Sequence, residues 1–362
     1  MPIGTKRRGR LLYTVPEIQM RKIQTCCTVL GACLLAASPQ FAQTHARANA
    51  PEIPFDSVPN FLKLPPDLYL GEGIGVATNS KGHNFVYTRS QHTRLFEFDA
   101  TGKYIGEIGE GLYGFAFAHA VRVDPRDNIW VVDEGSNMVI KFNPAGQVVM
   151  LMGRRPEPID AGLGLVPPAP GSNPQPYVFD RPTDVAWDAA GDIFVSDGYG
   201  NSRVVKYDRN GKFIAAVGTK GNGKLQLNLP HTLAADAKGN VYVGDRSNAR
   251  IQVFDNDLAF KASYDNVGAP WAVCITPGPH QYIYSSNSFP DSNNSELIPT
   301  SGEIYKMELD GTVLGKFGHP GKKLGEFSTV HEIDCRTPDQ IMISEITAWR
   351  VQKIVLHPGV KK

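Results

Sequence analysis

Self-similarity at a fixed period constrains this chain more than any other feature, because a repeat architecture is dictated before any single motif is weighed. One unit recurs: a short apolar strand, an Asp-x-x-Gly-Asn-like turn, a second apolar strand ending in Asp, then a third strand. The clearest copies occupy 183–197 and 231–245, and 119–133 is a third with Pro-Arg-Asp-Asn in its turn. Each runs on into strands such as 202–208 or 249–255, and a further turn leads to a fourth strand, as over 211–218. Weaker copies start at Ile74, Trp271 and His331. Six units of roughly 40–60 residues, each a four-stranded antiparallel sheet, predict an all-β fold, the six-bladed β-propeller. The last unit stops one strand short after 350–356, and the segment 60–64 is expected to supply the missing outer strand. That closure ties both chain ends into one blade and leaves no free edge. A stacked solenoid would need capping repeats, which the sequence does not show.

The 362 residues include 36 Gly and 27 Pro, in keeping with many turns between short strands. Formal net charge is +1, and no dense Lys/Arg run follows the N-terminal region, which excludes a nucleic-acid partner. At the N-terminus, Lys6, Arg7, Arg8, Arg10, Arg21 and Lys22 precede an apolar stretch over 26–37. That length suits a signal-peptide core and is too short to span a bilayer. The expected organisation is a signal peptide over 1–50, cleaved near 48–50, and a single propeller over 51–362. Export to the periplasm or the exterior follows, with no integral membrane span, and the expected state is a monomer. Three of five cysteines (Cys26, Cys27, Cys33) fall in the targeting segment, and Cys274 and Cys335 read first as two small buried hydrophobes, with a single disulfide between them as the alternative. Two insertions, 153–178 and 285–302, read as loops over one face of the disc.

In a propeller the first strand of every blade lines the central channel, so the residue opening that strand occupies an equivalent slot each time. Read in order, the slot holds Ile74, His119, Thr183, His231, Trp271 and His331. Histidine therefore fills blades two, four and six. Alternate blades are related by about 120°, so three imidazoles at one height converge on one point. Chance placement fills three of six slots roughly a few times in ten thousand. The bland alternative is that the slot tolerates His beside channel water. Three imidazoles with a fourth position left open match a catalytic zinc shell. Near the same mouth lie 196–203, with Tyr199, and 245–250, with Arg246. Blade one offers Tyr87-Thr88-Arg89 at the corresponding place, where other blades have Asp. Arginine suits a carboxylate because it can make two parallel hydrogen bonds.

At 179–186, 195–203, 229–233 and 245–254 the chain resembles the NHL-repeat propellers, and specifically the peptidyl-α-hydroxyglycine α-amidating lyases. The resemblance implies a lyase that splits a carbinolamide into an amide and glyoxylate. It implies that His119, His231 and His331 bind zinc and that Tyr199 is the catalytic tyrosine, its acidity raised by arginines and zinc. Arg89 and Arg246 would be the active-site arginines, acting on a small-molecule or C-terminal peptide substrate that carries a carboxylate. The acidic residue associated in the family with a structural calcium is Glu332 here, in place of Asp. The family's methionine two places before the third ligand is Thr329. Its two cysteine pairs become Asp180 with Gly200 and Tyr242 with Val253, each lost as a pair. The rival reading is a non-enzymatic NHL propeller that binds a peptide or protein partner.

Overall fold

The Asp of each turn closes that turn with its own side chain, which is why the strands around it start and stop where they do. Asp124 accepts from the backbone N–H groups of Arg126 and Asn128 at 2.9 and 3.0 Å. Asp236 does the same for Lys238 and Asn240, both at 2.8 Å. Such side-chain bonds replace a backbone partner at the tip of a hairpin and fix its register. In the computed structural model, which describes residues 49–157, 174–289 and 298–359, six of these hairpins grow into six four-stranded antiparallel sheets. The innermost strands are Glu72–Thr78, Ala118–Val123, Asp184–Trp187, Pro230–Ala235, Pro270–Ile275 and Val330–Thr337. Apart from two 3-10 turns, Arg246–Asn248 and Ile298–Thr300, the described residues contain no helix, and none long and apolar enough to cross a membrane. The fold is the expected six-bladed β-propeller.

The targeting segment lies outside the described residues except for its last two, as do 158–173 and 290–297 of the two insertions.

The core sits between blades rather than within them. Ile74, Tyr87 and Leu95 of blade one pack with Val121, Val131 and Ile140 of blade two, all buried. Trp130 of blade two stacks on Trp187 of blade three, centroids 5.6 Å apart. Burying one such side chain stabilises the fold by roughly 1.5–3 kcal/mol, so each blade depends on its neighbours.

Two expectations need correction. The strand that completes blade six is Phe55–Val58, which pairs antiparallel with Arg350–Leu356 from Phe55↔Leu356 to Val58↔Lys353. Phe55 decides the choice: its ring meets Phe317 at 5.4 Å and Phe327 at 6.2 Å. The segment 60–64 instead lies over blade one, where Phe61, Leu62 and Leu64 pack beside Phe96 and Phe98 and Lys63 donates to the Gly102 carbonyl at 2.8 Å. The second correction concerns Cys274 and Cys335, which form a disulfide. They stand on the innermost strands of adjacent blades, five and six, with Cα atoms 6.1 Å apart. That spacing is within the range a disulfide bridges without backbone movement.

Candidate metal centre

Five of the six slot residues, all but Thr183, owe their direction to a local break in the ladder. Pairing between the first two strands shifts across Gly73/Gly75, Ala118/Ala120, Pro230/Thr232, Pro270/Val273 and Val330/Glu332. The residues skipped are Ile74, His119, His231, Trp271 with Ala272, and His331. A bulge turns its extra residue out of the regular alternation, and here the extra residue turns toward the axis.

The loops leading into the slots are pinned from below. The carboxylate ending the second strand accepts backbone N–H groups from the preceding loop: Asp133 from Ala116 and Phe117, Asp197 from Asp180, Asp245 from Asn228, Glu345 from Ser328. In blades three, four and six the same carboxylate pairs with an arginine, Asp197–Arg203, Asp245–Arg250 and Glu345–Arg350, at 2.9, 2.8 and 2.6 Å. Each of those arginines also donates to loop carbonyls, as Arg203 does to Gln175 and Val178. The Asp and Arg of the repeat are therefore structural.

The three histidines meet as the six-fold spacing predicts. Ring centroids are 4.6 Å (His119–His231), 4.8 Å (His119–His331) and 4.8 Å (His231–His331) apart, close to an equilateral triangle. Their ligand atoms lie within 4.8 Å of one another, and all three residues are buried. Each Nδ1 donates to the carbonyl of the slot residue in the following blade: His119 to Thr183 (2.6 Å), His231 to Trp271 (2.7 Å), His331 to Ile74 (2.9 Å). A carbonyl only accepts, so the proton is on Nδ1 and Nε2 carries the lone pair. The buried Nε2 atoms of His119 and His231 have no hydrogen-bond partner among the described residues. Burial, reinforced by nearby cations, holds all three imidazoles well below the usual histidine range, so they are neutral at pH 7. Neutral, oriented imidazoles, two of them with orphaned lone pairs, fit a metal ion that takes nitrogen ligands.

Tyr199, Arg89 and Arg246 are brought to the same mouth, and a second slot relates them. In blades two to six, Glu134, Tyr199, Arg246, Ser288 and Ile346 each donate a backbone N–H to the residue two before the axial slot: Phe117, Arg181, Leu229, Ala269 and Thr329. Arg89 faces Glu72, the corresponding residue of blade one, in the ladder. The place of the strand-ending Asp in blade one thus belongs to Thr88, and Arg89 stands one further on. Sequence reading missed Glu134. The signal was present, since it follows the strand-ending Asp133 just as Arg246 follows Asp245.

The side chains of this rim interlock. Arg89 donates from Nε to Glu72 at 2.8 Å, lies 3.7 Å from Glu134, and covers the Phe117 ring at 3.8 Å. Arg246 covers the Trp271 ring at 4.0 Å, and no carboxylate lies within ion-pair distance of it among the described residues. Tyr199 sits edge-on to His119, centroids 5.6 Å apart, with the Arg181 guanidinium over its face at 5.1 Å. Gly198 makes that approach feasible, because a Cβ there would stand 2.2 Å from the Pro230 carbonyl. Burial raises the Tyr199 phenol, Arg246 pulls it down, Glu134 pushes it up again, and Arg89 pulls it down. The arginines lower it as expected, but in the absence of a metal ion burial outweighs them and the net direction is upward. Burial likewise raises Glu134, against the pull of Arg89 and Arg181.

One layer further down the channel stand residues that follow the slot. Arg122 makes a two-pronged pair with Asp184 (2.9 and 2.6 Å), reaches Thr232 Oγ1 at 3.3 Å, and lies 3.0 Å from Glu332. Glu332, which the resemblance associates with calcium, is thus held against a guanidinium.

The family model for the NHL repeat matches residues 179–207 and 227–254, in blades three and four. The chain is a six-bladed β-propeller that carries NHL repeats in blades three and four. It is 30% identical over 241 residues to NHL repeat-containing protein 3 of Mus musculus, covering 63% of this chain and 62% of that protein. It is 32% identical over 280 residues to peptidyl-alpha-hydroxyglycine alpha-amidating lyase 1 of Drosophila melanogaster, covering 73% of this chain and 48% of that protein. With peptidylglycine alpha-amidating monooxygenase of Rattus norvegicus it shares 28% over 338 residues, covering 82% and 32%. The chain therefore spans from 62% down to 32% of the length of these relatives. Among solved structures, a streptogramin B lyase superposes with a TM-score of 0.52 at 16% identity, covering 84% of this chain and 98% of that one. Virginiamycin B lyase from Staphylococcus aureus gives 0.54 at 10% identity, covering 84% and 100%. Those two likenesses show the propeller fold alone.

The two positions at which the resemblance implies lost cysteine pairs are neighbours in this propeller. Gly200 donates to the Asp180 carbonyl at 3.0 Å, and Tyr242 stands opposite Val253 in the ladder.

Proposed function

We propose that this propeller is a zinc-dependent carbon–nitrogen lyase that splits a carbinolamide, such as peptidyl-α-hydroxyglycine, into an amide and glyoxylate. The observation that carries the reading is the convergence of three neutral imidazoles, the Nε2 lone pairs of His119 and His231 orphaned, beneath a rim holding one tyrosine and an arginine that has no carboxylate partner among the described residues. Relatives named as amidating lyases support it.

His119, His231 and His331 would hold the metal through Nε2. Bound there, zinc supplies Lewis acidity toward the substrate's hydroxyl or carboxylate oxygen and stabilises developing negative charge. Arg246, preset by the Trp271 face, holds the substrate carboxylate in paired hydrogen bonds. Arg89, already engaged by Glu72 and Glu134, adds positive charge rather than a primary grip. Tyr199 handles the proton. The hydroxyl of R-CO-NH-CH(OH)-COO⁻ must lose one and the departing amide nitrogen must gain one. A phenol kept neutral by burial gives its proton to nitrogen as the C–N bond breaks, and its oxygen takes the hydroxyl proton in return. The products, R-CO-NH₂ and glyoxylate, balance the substrate without water. We also propose that the chain is exported, as its N-terminal charges and apolar stretch suggest.

Metal analysis of the purified protein tests this before any substrate is chosen. We expect about one zinc per chain and release of glyoxylate from an α-hydroxyglycine peptide that a chelator stops and added zinc restores. A folded protein that binds no zinc at micromolar concentrations would sink the proposal.

A further inference from the structure

The layer beneath the imidazoles is rich in hard oxygen donors. Asp184 and Glu332 bring carboxylates, Thr232 its hydroxyl and Ile333 its backbone carbonyl, and Asp334 lies on the same strand as Glu332. Oxygens of this kind are what a calcium ion takes at about 2.3–2.6 Å. Here the guanidinium of Arg122 stands among them. It makes the side-on pair with Asp184, donates to the Ile333 carbonyl at 3.4 Å and approaches Glu332 Oε1 to 3.0 Å. Its single Nε hydrogen is directed at Asp184, which leaves Glu332 Oε1 held by charge with no hydrogen bond of its own. The other oxygen of Glu332 accepts the backbone N–H of Val121, on Arg122's own strand, at 3.2 Å. Gly75 completes the layer, because a Cβ there would press on that oxygen at 2.6 Å.

A calcium ion and this guanidinium cannot occupy the same oxygens, so these residues do not fit the structural calcium that the resemblance implies. We propose that Arg122 is the resident cation of the axial layer, a built-in side chain that takes the role a bound calcium ion would have. The layer is then complete within one chain and indifferent to calcium. Arg122 also joins four blades directly beneath the metal centre: its own, blade three through Asp184, blade four through Thr232, and blade six through Glu332. Asp184 follows Thr183 and Glu332 follows His331, so the ion pair sets the height of two backbone segments that frame the imidazoles. A cavity of about 530 Å³, walled by Val76, Val123, Val185 and Leu233, opens below Arg122 toward solvent. An ion can therefore reach the layer once the guanidinium is removed. The inference is independent of what the imidazoles bind.

The test is a comparison of thermal unfolding midpoints after dialysis against EGTA with zinc restored, with and without millimolar calcium at constant ionic strength. For the wild type we expect no shift. For Arg122→Ser we expect the midpoint to fall by roughly 5–10 °C without calcium, since one partner of a buried pair is lost, and calcium to recover most of that loss. Arg122→Lys keeps a cation and should stay insensitive to calcium. A saturable rise of the wild-type midpoint with calcium overturns the proposal. So does an Arg122→Ser protein as stable as wild type. Should Arg122→Ser fail to fold, calorimetric titration of the wild type with calcium decides: heat of a single saturable site refutes the proposal, and its absence supports it.

Discussion

The imidazole layer and the guanidinium layer lie one above the other on one axis, framed by the same inner strands, yet they are chemically opposite. Above, three neutral nitrogen donors face one another with no charge among them. Below, carboxylates face a cation that belongs to the chain. A ring of carboxylates without a cation would be unstable by repulsion and desolvation, so it has to be closed by something. A ring of neutral imidazoles suffers no such repulsion and can await an ion from solution. Under the proposed function, the difference separates what holds the ring together from what acts on a substrate.

The largest effect should come from His231→Ala. Losing one of three ligands should abolish metal retention and lower glyoxylate release at least about a thousandfold. Calcium indifference should survive, because the lower layer is untouched. Paired metal analysis and unfolding curves check both halves, and a calcium response in this variant would blur the two layers into one. Next, Arg246→Ala should reduce kcat/KM on an α-hydroxyglycine peptide by about 10²–10³ while zinc content stays at the wild-type level.

A pH series on metal-free protein separates the layers by sign. The folded imidazoles sit well below the unfolded value near 6.5. The unfolded chain therefore binds protons that the folded chain does not, and their contribution to stability is full above about pH 6.5 and falls as pH drops below it. In the lower layer the guanidinium keeps its charge, while burial raises its partner Glu332, whose contribution runs the other way and grows as pH falls. Between pH 7.5 and 6 the melting midpoint should fall, and in His331→Asn that fall should shrink by about a third. An unchanged slope would mean the imidazoles are not the titrating groups. The smallest effect is expected for Glu134→Gln. Removing this carboxylate from beside Arg89 should lower KM for an anionic substrate by about two- to fivefold, with kcat nearly constant.

The upper layer was legible in the sequence because it is periodic. His119, His231 and His331 occupy one repeat position, and repeat position translates directly into angle around the ring. The lower layer follows from the same periodicity one step on, at Asp184, Thr232 and Glu332. It was missed because Arg122 stands in an otherwise apolar strand and pairs with residues 62 and 210 positions away. The disulfide was hidden for a related reason: Cys274 and Cys335 are 61 residues apart, and only the lateral contact of two inner strands brings them together. The closing strand was misread because 60–64 is the more apolar of two short segments, while Phe55–Val58 carries Asp56 and Ser57, and burial of the Phe55 ring, which no periodicity reports, decides between them. The direction of the Tyr199 shift depends on how deep the phenol lies relative to its cations, which is a property of packing.

The hydrogen bond from His331 Nδ1 to the Ile74 carbonyl joins positions 257 residues apart. During synthesis the third ligand emerges last, and its proton acceptor is among the first parts of the ring to be made. The proposed metal centre therefore cannot assemble on a nascent chain lacking its sixth blade, whatever metal is at hand. On the proposed function, a chain truncated before His331 should therefore be born without the means to react prematurely.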